Sequence, residues 1–210
     1  MPYVALAVLW IAWCVLHSAM ICPSVTTYFR RRFKRGFRFY RLLFNVVALA
    51  TMAPIVFYEK AIDGGWMLWW QGTGRVIQVF LVGVGFWLFF SGARHYDLWQ
   101  FLGIRQIREG FSTKSLTGGQ DIDTRGILGI IRHPWYAGGI VLIWTRDVTS
   151  ATLITNIVLT VYLIVGAYLE ERKLIMEYGD KYREYQKRVP MFIPYRFLTA
   201  KKRKEEDVEH

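Results

Sequence analysis

Four long stretches of this chain contain no Asp, Glu, Lys or Arg, and that restricts its fold more than any other feature of the 210 residues. They are Pro2–Phe29, Leu42–Tyr58, Val76–Ala93 and Val148–Leu169. A helix rises about 1.5 Å per residue, so about 20 residues cross the ~30 Å hydrocarbon core of a bilayer. The composition agrees: 53% of the residues are hydrophobic and 17% aromatic, more than a soluble domain places in uncharged runs. A fifth run, between Trp135 and Thr145, is too short alone, but reaches spanning length if a helix starts near Ile127 and bends at Pro134. The chain is predicted to be an all-α, polytopic integral membrane protein with about five transmembrane helices. The first run has no basic region before it and contains Trp10 and Trp13, so a retained anchor is predicted rather than a cleaved signal.

The net charge of +11 is clustered. Arg30, Arg31, Arg32, Lys34, Arg35 and Arg38 follow the first segment, and Arg94, Arg105, Arg108, Lys114, Arg125 and Arg132 lie between the third and fourth. Eleven more Lys and Arg follow Glu171, whereas the opposite loops hold only Lys60, Arg75 and Arg146. The positive-inside bias puts the N-terminus outside and the C-terminus in the cytoplasm. Attraction to anionic lipid headgroups accounts for such juxtamembrane clusters, so the lipid bilayer and not nucleic acid is the partner implied. Cys14 and Cys22, eight residues apart on one helix, would be ~12 Å apart along its axis, too far for a disulfide. No spacing suits a metal.

Residues 1–200 read as one membrane domain, with a charged, disordered tail at 201–210. The longest polar stretch, 94–126, contains Gly118-Gly119-Gln120-Asp121; loops of that length are functional or disordered. Thr145-Arg146-Asp147 should turn a tight helical hairpin. Beyond Glu171, the helical spacing of Leu174, Ile175, Tyr178, Tyr182 and Tyr185 predicts an amphipathic helix on the cytoplasmic face.

Two polar signatures bracket the last two apolar segments and should face one another on one side of the membrane. The first is Arg132-His133-Pro134-Trp135-Tyr136-Ala137-Gly138. Pro134 interrupts backbone pairing, so a new helix start there offers N–H groups to an anion, with an imidazole and a guanidinium beside it. Taken alone, the fragment is equally an interfacial anchor. The second is Glu170-Glu171 after 22 uncharged residues, where a helix C-terminus disfavours negative charge and two acids call for a cationic partner. Together they offer donors for a carboxylate, an acid for an amine or ribose hydroxyls, and aromatic faces for a base and a sulfonium. S-adenosylmethionine carries all of those groups. His17-Ser18 and His95-Tyr96-Asp97 are further polar groups in need of partners. Four histidines, one of them in the tail, do not suit a two-haem cytochrome.

The ordered set Gly126, Arg132-His133-Pro134-x-Tyr136-x-Gly138, Glu170-Glu171-x-x-Leu174, Tyr178-Gly179, Tyr182, Tyr185, Val189-Pro190 and Pro194 resembles the isoprenylcysteine carboxyl methyltransferase superfamily. That group includes phospholipid methyltransferases, methanethiol S-methyltransferases and NnrU-like bacterial membrane proteins. Trp13-x-x-x-His17-Ser18, Tyr40-Arg41-x-Leu43-x-Asn45 and Asp97…Gly103-x-Arg105-Gln106 are similar to the NnrU-like and methanethiol branch. The resemblance implies a prokaryotic cell-membrane methyltransferase using S-adenosyl-L-methionine, with its cofactor-binding part at about 115–195. The implied cofactor-binding residues are Gln120, Asp121, Ile122, Asp123, Leu128, Arg132, His133, Pro134, Trp135, Tyr136, Glu170 and Glu171. His17, His95 and Arg105 are the substrate-side candidates. Prenylcysteine enzymes carry an arginine one turn before the acid pair, where this chain has Gly166. A small thiol or another lipophilic methyl acceptor therefore fits better than a prenylated C-terminus. A non-catalytic NnrU-like membrane protein and a nicotinamide-dependent membrane reductase of similar fold remain alternatives.

Overall fold

A computed structural model describes residues 1–62, 64–94, 98–109 and 122–195. His95, Gln120, Asp121 and the tail 201–210 lie outside the described residues. The element order is α1 (Pro2–Ile21), α2 (Pro23–Phe33), α3 (Tyr40–Ala61), β1 (Trp66–Leu68), α4 (Thr73–Ala93), α5 (Leu98–Leu102), α6 (Ile104–Glu109), α7 (Pro134–Trp144), β2 (Val148–Thr149), α8 (Ser150–Tyr178) and α9 (Asp180–Arg188). Among the described residues, four helical stretches are long and apolar enough to cross a membrane: Pro2–Ile21, Pro23–Ala61, Thr73–Ala93 and Ser150–Tyr178. The fold is all-α and polytopic, with one small ribbon in which β1 pairs antiparallel with β2.

Three expectations need correction. The basic segment after α1, read as a loop, is helical. Cys22 is extended, Pro23 opens α2, and Arg30, Arg31 and Arg32 occupy its last turn, where cations complement the helix dipole. A 3-10 turn over Lys34–Phe39 then leads into α3. The fourth apolar segment does not become a bent spanning helix. Gly126–Gly129 is a 3-10 turn and α7 begins only at Pro134, with 11 residues, a rise of about 16 Å. The reason is local: the Arg132 and His133 amides donate to the carbonyls of Pro190 and Met191, not to a preceding helical turn. Nor is the C-terminal amphipathic pattern one separate helix. Leu174 to Tyr178 continue α8, Gly179 turns the chain at φ +60°, and Tyr182 and Tyr185 lie on α9.

The chain divides into two compact units. The first comprises Met1–Arg75, Tyr96–Gly118 and Arg146–Tyr162. Leu6 and Trp10 of α1, Ile55 of α3 and Ala151 of α8 form its apolar centre. Arg41 and Asn45 on α3 donate to the Phe101 carbonyl at 3.1 and 3.3 Å. That contact needs Gly103, because at φ +88° a Cβ there would sit 2.8 Å from the Leu42 amide nitrogen. The end of α3 and the start of α8 share a buried polar network. Arg146 bonds Glu59 at 3.0 Å and Asn156 at 2.7 Å, and Thr155 donates to the second Glu59 oxygen at 2.5 Å.

The second unit comprises Val76–His95, Gly119–Thr145 and Leu163–His210. Helices α4 and α7 touch backbone to backbone through Gly138. A Cβ there would stand 2.7 Å from both the Gly85 carbonyl oxygen and the Phe89 nitrogen, so small residues set the approach of the two helices. Gln78 donates to the Thr145 carbonyl at 2.6 Å, holding the far end of the pair. Two apolar clusters complete the unit: Ile127, Ile131 and Ala137, and Tyr182, Tyr185 and Val189.

Candidate functional site

The site is built by three pieces of the second unit: the turn before α7, the last two turns of α8, and α9 with the strand-like segment after it. Proline cannot donate a backbone hydrogen bond, so Pro134 fits only at the start of α7. His133, at φ −123° and ψ 62°, is the residue just outside that helix. Its side chain is 2% exposed. Arg132 and Glu171 form an ion pair at 2.7 Å, with side chains 9% and 7% exposed. The Arg132 Nη1 donates to the Gln186 carbonyl at 3.1 Å and also to that of Val189. Glu171 is saturated: Oε1 accepts from Arg132 Nε and faces His133 Nε2 at 3.2 Å, and Oε2 accepts from Gln186 Nε2 at 2.7 Å. A buried pair with such complete hydrogen bonding holds the residues 186–191 against the turn at 132–133.

Glu170 plays a different part. Its side chain is 27% exposed, and one of its oxygens lies 3.9 Å from His133 Nδ1. That ring nitrogen is buried and has no hydrogen-bond partner among the described residues. Buried polar atoms nearly always find one. Tyr136 presents its ring edge-on to His133 with centroids 5.4 Å apart, and Phe192 closes another side at 6.1 Å. Trp135 stacks edge-to-face on Phe89 at 4.8 Å. Leu128 packs on the Ile127 and Ile131 cluster, and its carbonyl accepts from the Tyr185 hydroxyl at 2.6 Å. Ile122 lies against the Tyr182 cluster. Asp123 pairs with Arg125 at 3.0 Å. Burial pushes the phenols of Tyr182 and Tyr185 up, with the Glu171 carboxylate adding to the rise at Tyr182.

The second unit thus brings together Arg132, His133, Pro134, Tyr136, Glu170 and Glu171, and places Ile122, Asp123, Leu128 and Trp135 on the segments that carry or pack against them. The substrate-side candidates that are described belong to the first unit. His17 Nδ1 lies 2.6 Å from the Tyr162 hydroxyl, to which Ser18 also donates at 3.2 Å, and its ring stacks on Trp13. Arg105 lies on α6 and is exposed. Gln186 and the carbonyls of Val189, Pro190 and Met191 escaped the sequence reading. Only the position of Gln186, four residues after Tyr182 on the same helical face, hinted at an inward side chain.

A family model described as NnrU protein matches residues 5–193. The chain belongs to the NnrU protein family. Among curated relatives of this NnrU-family chain, methanethiol S-methyltransferase 2 of Bradyrhizobium diazoefficiens is 32% identical over 136 residues, 63% of this chain and 52% of the relative. Methanethiol S-methyltransferase 1 of the same organism is 36% identical over 131 residues, 60% and 46% of the two chains. The methanethiol S-methyltransferase of Crocosphaera subtropica is 36% identical over 102 residues, 48% and 38%. The matched region spans about half the length of the Bradyrhizobium relatives, and less of the Crocosphaera one. No solved structure matches the chain at a significant level.

Proposed function

We propose that this NnrU-family chain is an integral-membrane methyltransferase that uses S-adenosyl-L-methionine and acts on a small thiol. The observation that carries the reading is the meeting of His133 and Glu170 around a buried ring nitrogen without a partner. The residues present fit the methyl donor. His133 and Glu170 suit its amino-acid end, Tyr136 and Trp135 supply aromatic faces that attract a sulfonium, and Ile122, Asp123 and Leu128 lie on the segment that leads into the turn. Bound there, S-adenosylmethionine would supply a methyl group already activated on sulfur. The chain's own work is to hold and orient that donor and keep water from it. Arg132 and Glu171 do so indirectly, by locking residues 186–191 over the turn. A thiol acceptor removes the need for a strong base, because a free thiol is a few per cent thiolate near neutral pH. His17 and Arg105 are proposed for the acceptor side.

Two observations favour a thiol over a prenylated C-terminus. The curated relatives are named for methanethiol, and a Cβ at Gly166 would already meet the Tyr136 ring at 3.3 Å, so that ring takes the space an arginine would need. Solubilised protein incubated with methyl-labelled S-adenosylmethionine and methanethiol should release labelled dimethyl sulfide. Lipid amines and prenylcysteine analogues should stay unlabelled. His133→Ala and Glu170→Ala should lose both turnover and calorimetric binding of S-adenosylhomocysteine while still inserting. Absence of that binding in the wild-type protein sinks the proposal.

A non-catalytic role is the second reading, favoured by one contrast: the NnrU model covers nearly the whole chain, whereas the named enzymes share about half their length with it. A rise in melting temperature with S-adenosylmethionine, which any native-state ligand produces, separates the two.

A further inference from the structure

We infer that α2 and the 3-10 turn after it lie flat on the membrane face where α1 ends and α3 begins. There their aromatic residues enter the lipid and their cations bind anionic phospholipid headgroups. The inference is independent of the methyl-donor reading.

The level of α2 follows from its tethers. Helices α1 and α3 pack antiparallel: Leu6 and Trp10 meet Ile55, Trp13 Nε1 donates to the Ala48 carbonyl at 3.0 Å, and the Tyr40 hydroxyl donates to the Met20 carbonyl at 2.7 Å. The last turn of α1 and the first turn of α3 are therefore level, at one face of the membrane that both helices cross. Only Cys22 separates α2 from α1, so α2 starts at that level. Its far half returns there, because the Phe29 ring lies 5.3 Å from that of Tyr40. Eleven residues of straight helix would part those residues by about 16 Å, so α2 does not prolong α3. Lys34, at φ +42°, ends the helix, and the turn over Lys34–Phe39 brings Phe37 to stack on Tyr40 at 5.0 Å. Tied at Cys22 and again at Phe29, α2 runs along the surface. Of the stretch Pro23–Ala61, only α3 crosses.

The faces of α2 suit that position. None of its residues is buried. Val25, Phe29 and Phe33 recur every four residues on one side, with Tyr28 beside them. Tyr28 and Phe33 are 64% and 55% exposed. Thr27 and Arg31 point the other way. A helix with aromatic rings on one face and cations around the other beds in a headgroup layer. Charge decides which headgroups. Arg30, Arg31, Arg32, Lys34, Arg35, Arg38 and Arg41 fall within this short region, and no Asp or Glu precedes Glu59 in the chain. Arg31, Arg32, Lys34 and Arg35 are exposed and have no acidic partner among the described residues. Anionic lipid supplies the missing charge, and zwitterionic lipid does not.

Full-length protein in lipid nanodiscs tests both halves. In Tyr28→benzoylphenylalanine and Phe33→benzoylphenylalanine, illumination should attach phospholipid to the chain, and in Thr27→benzoylphenylalanine far less. Equal lipid attachment at all three positions, or none at any, overturns the flat placement.

The second readout is amide hydrogen exchange over residues 23–39. Exchange in phosphatidylglycerol should be at least about tenfold slower than in phosphatidylcholine, since each cation near an anionic surface adds to the hold. Equal rates overturn the headgroup assignment. In the variant Arg31→Gln/Arg32→Gln/Lys34→Gln/Arg35→Gln the ratio should shrink to about twofold or less; an unchanged ratio shows that these cations are not the ones used. Arg31→Lys/Arg32→Lys/Arg35→Lys keeps the charge and should keep the wild-type ratio, which separates lost attraction from lost folding. If inorganic phosphate protects the segment equally well in phosphatidylcholine, the cations take a free anion and the lipid assignment falls.

Discussion

Each unit buries a glutamate against an arginine, and the two pairs are put to different ends. In the first unit Glu59 is 5% exposed, but its partner Arg146 keeps 40% of its side chain open. Among the described residues the side chains of the pair bond to Asn156 and Thr155, one helical turn of α8. In the second unit both members are nearly closed off, at 9% and 7%, and the arginine reaches main-chain carbonyls far along the sequence. The atoms left without partners differ too. Among the described residues they are donors in the first case, Arg146 Nε and Asn156 Nδ2, and a ring nitrogen in the second, His133 Nδ1. The closed pair lies against a buried imidazole, the ring proposed above to contact the methyl donor. One cluster fastens a turn; the other fastens residues 186–191 to the start of α7.

The contrast can be broken by mutation. Arg132→Met leaves Glu171 buried and uncompensated and should lower stability by about 3–5 kcal/mol, with early proteolysis after α9 as the segment 189–192 comes free. Glu59→Leu should cost less, about 1–3 kcal/mol, because the stranded Arg146 is already partly in water. Equal shifts in detergent unfolding would erase the distinction. Gly138→Ala must push α4 from α7, since the new methyl meets backbone on both sides; about 1–3 kcal/mol should be lost. Gly83→Ala on the same α4 faces open space and should be neutral or stabilising by up to ~1 kcal/mol.

Alkaline titration sharpens the comparison further. Tyr182 and Tyr185 hold their protons above the ordinary phenol range. An unfolded chain loses those protons near pH 10. Below that pH the folded and unfolded states bind the same phenolic protons, and stability is flat. Above it the unfolded state binds fewer, so stability falls as pH rises toward the folded values. The loss should start in the second unit and vanish in Tyr182→Phe/Tyr185→Phe, as read by unfolding at pH 9 to 11. The smallest effect belongs to the first unit: Tyr162→Phe removes the bond to His17 and should cost about 1 kcal/mol.

The legibility of this chain varied with the range of the signal. Uncharged runs marked α1, α3, α4 and α8 because each helix must satisfy its own backbone in lipid, a constraint local to one segment. The pairing of 132–133 with 170–171 was also visible, since charged residues at such segment ends need partners. The division of labour between Glu170 and Glu171 was not. Adjacent residues on a helix point about 100° apart, and nothing in the letters says which one meets Arg132. The run before α7 misled for a related reason: Arg132 and His133 could have continued a helix, but their amides found Pro190 and Met191 instead.

Sequence alone determined that this is a multi-pass membrane protein of the NnrU family and that two polar motifs meet at the ends of its last apolar segments, because apolar length and side-chain type are properties of single segments. Tertiary structure decided which glutamate pairs with Arg132 and Gln186 and where the chain after α9 meets the turn before α7. Hydrogen bonds between residues some 40 to 60 positions apart depend on the path of the chain between them, and no local pattern records that path.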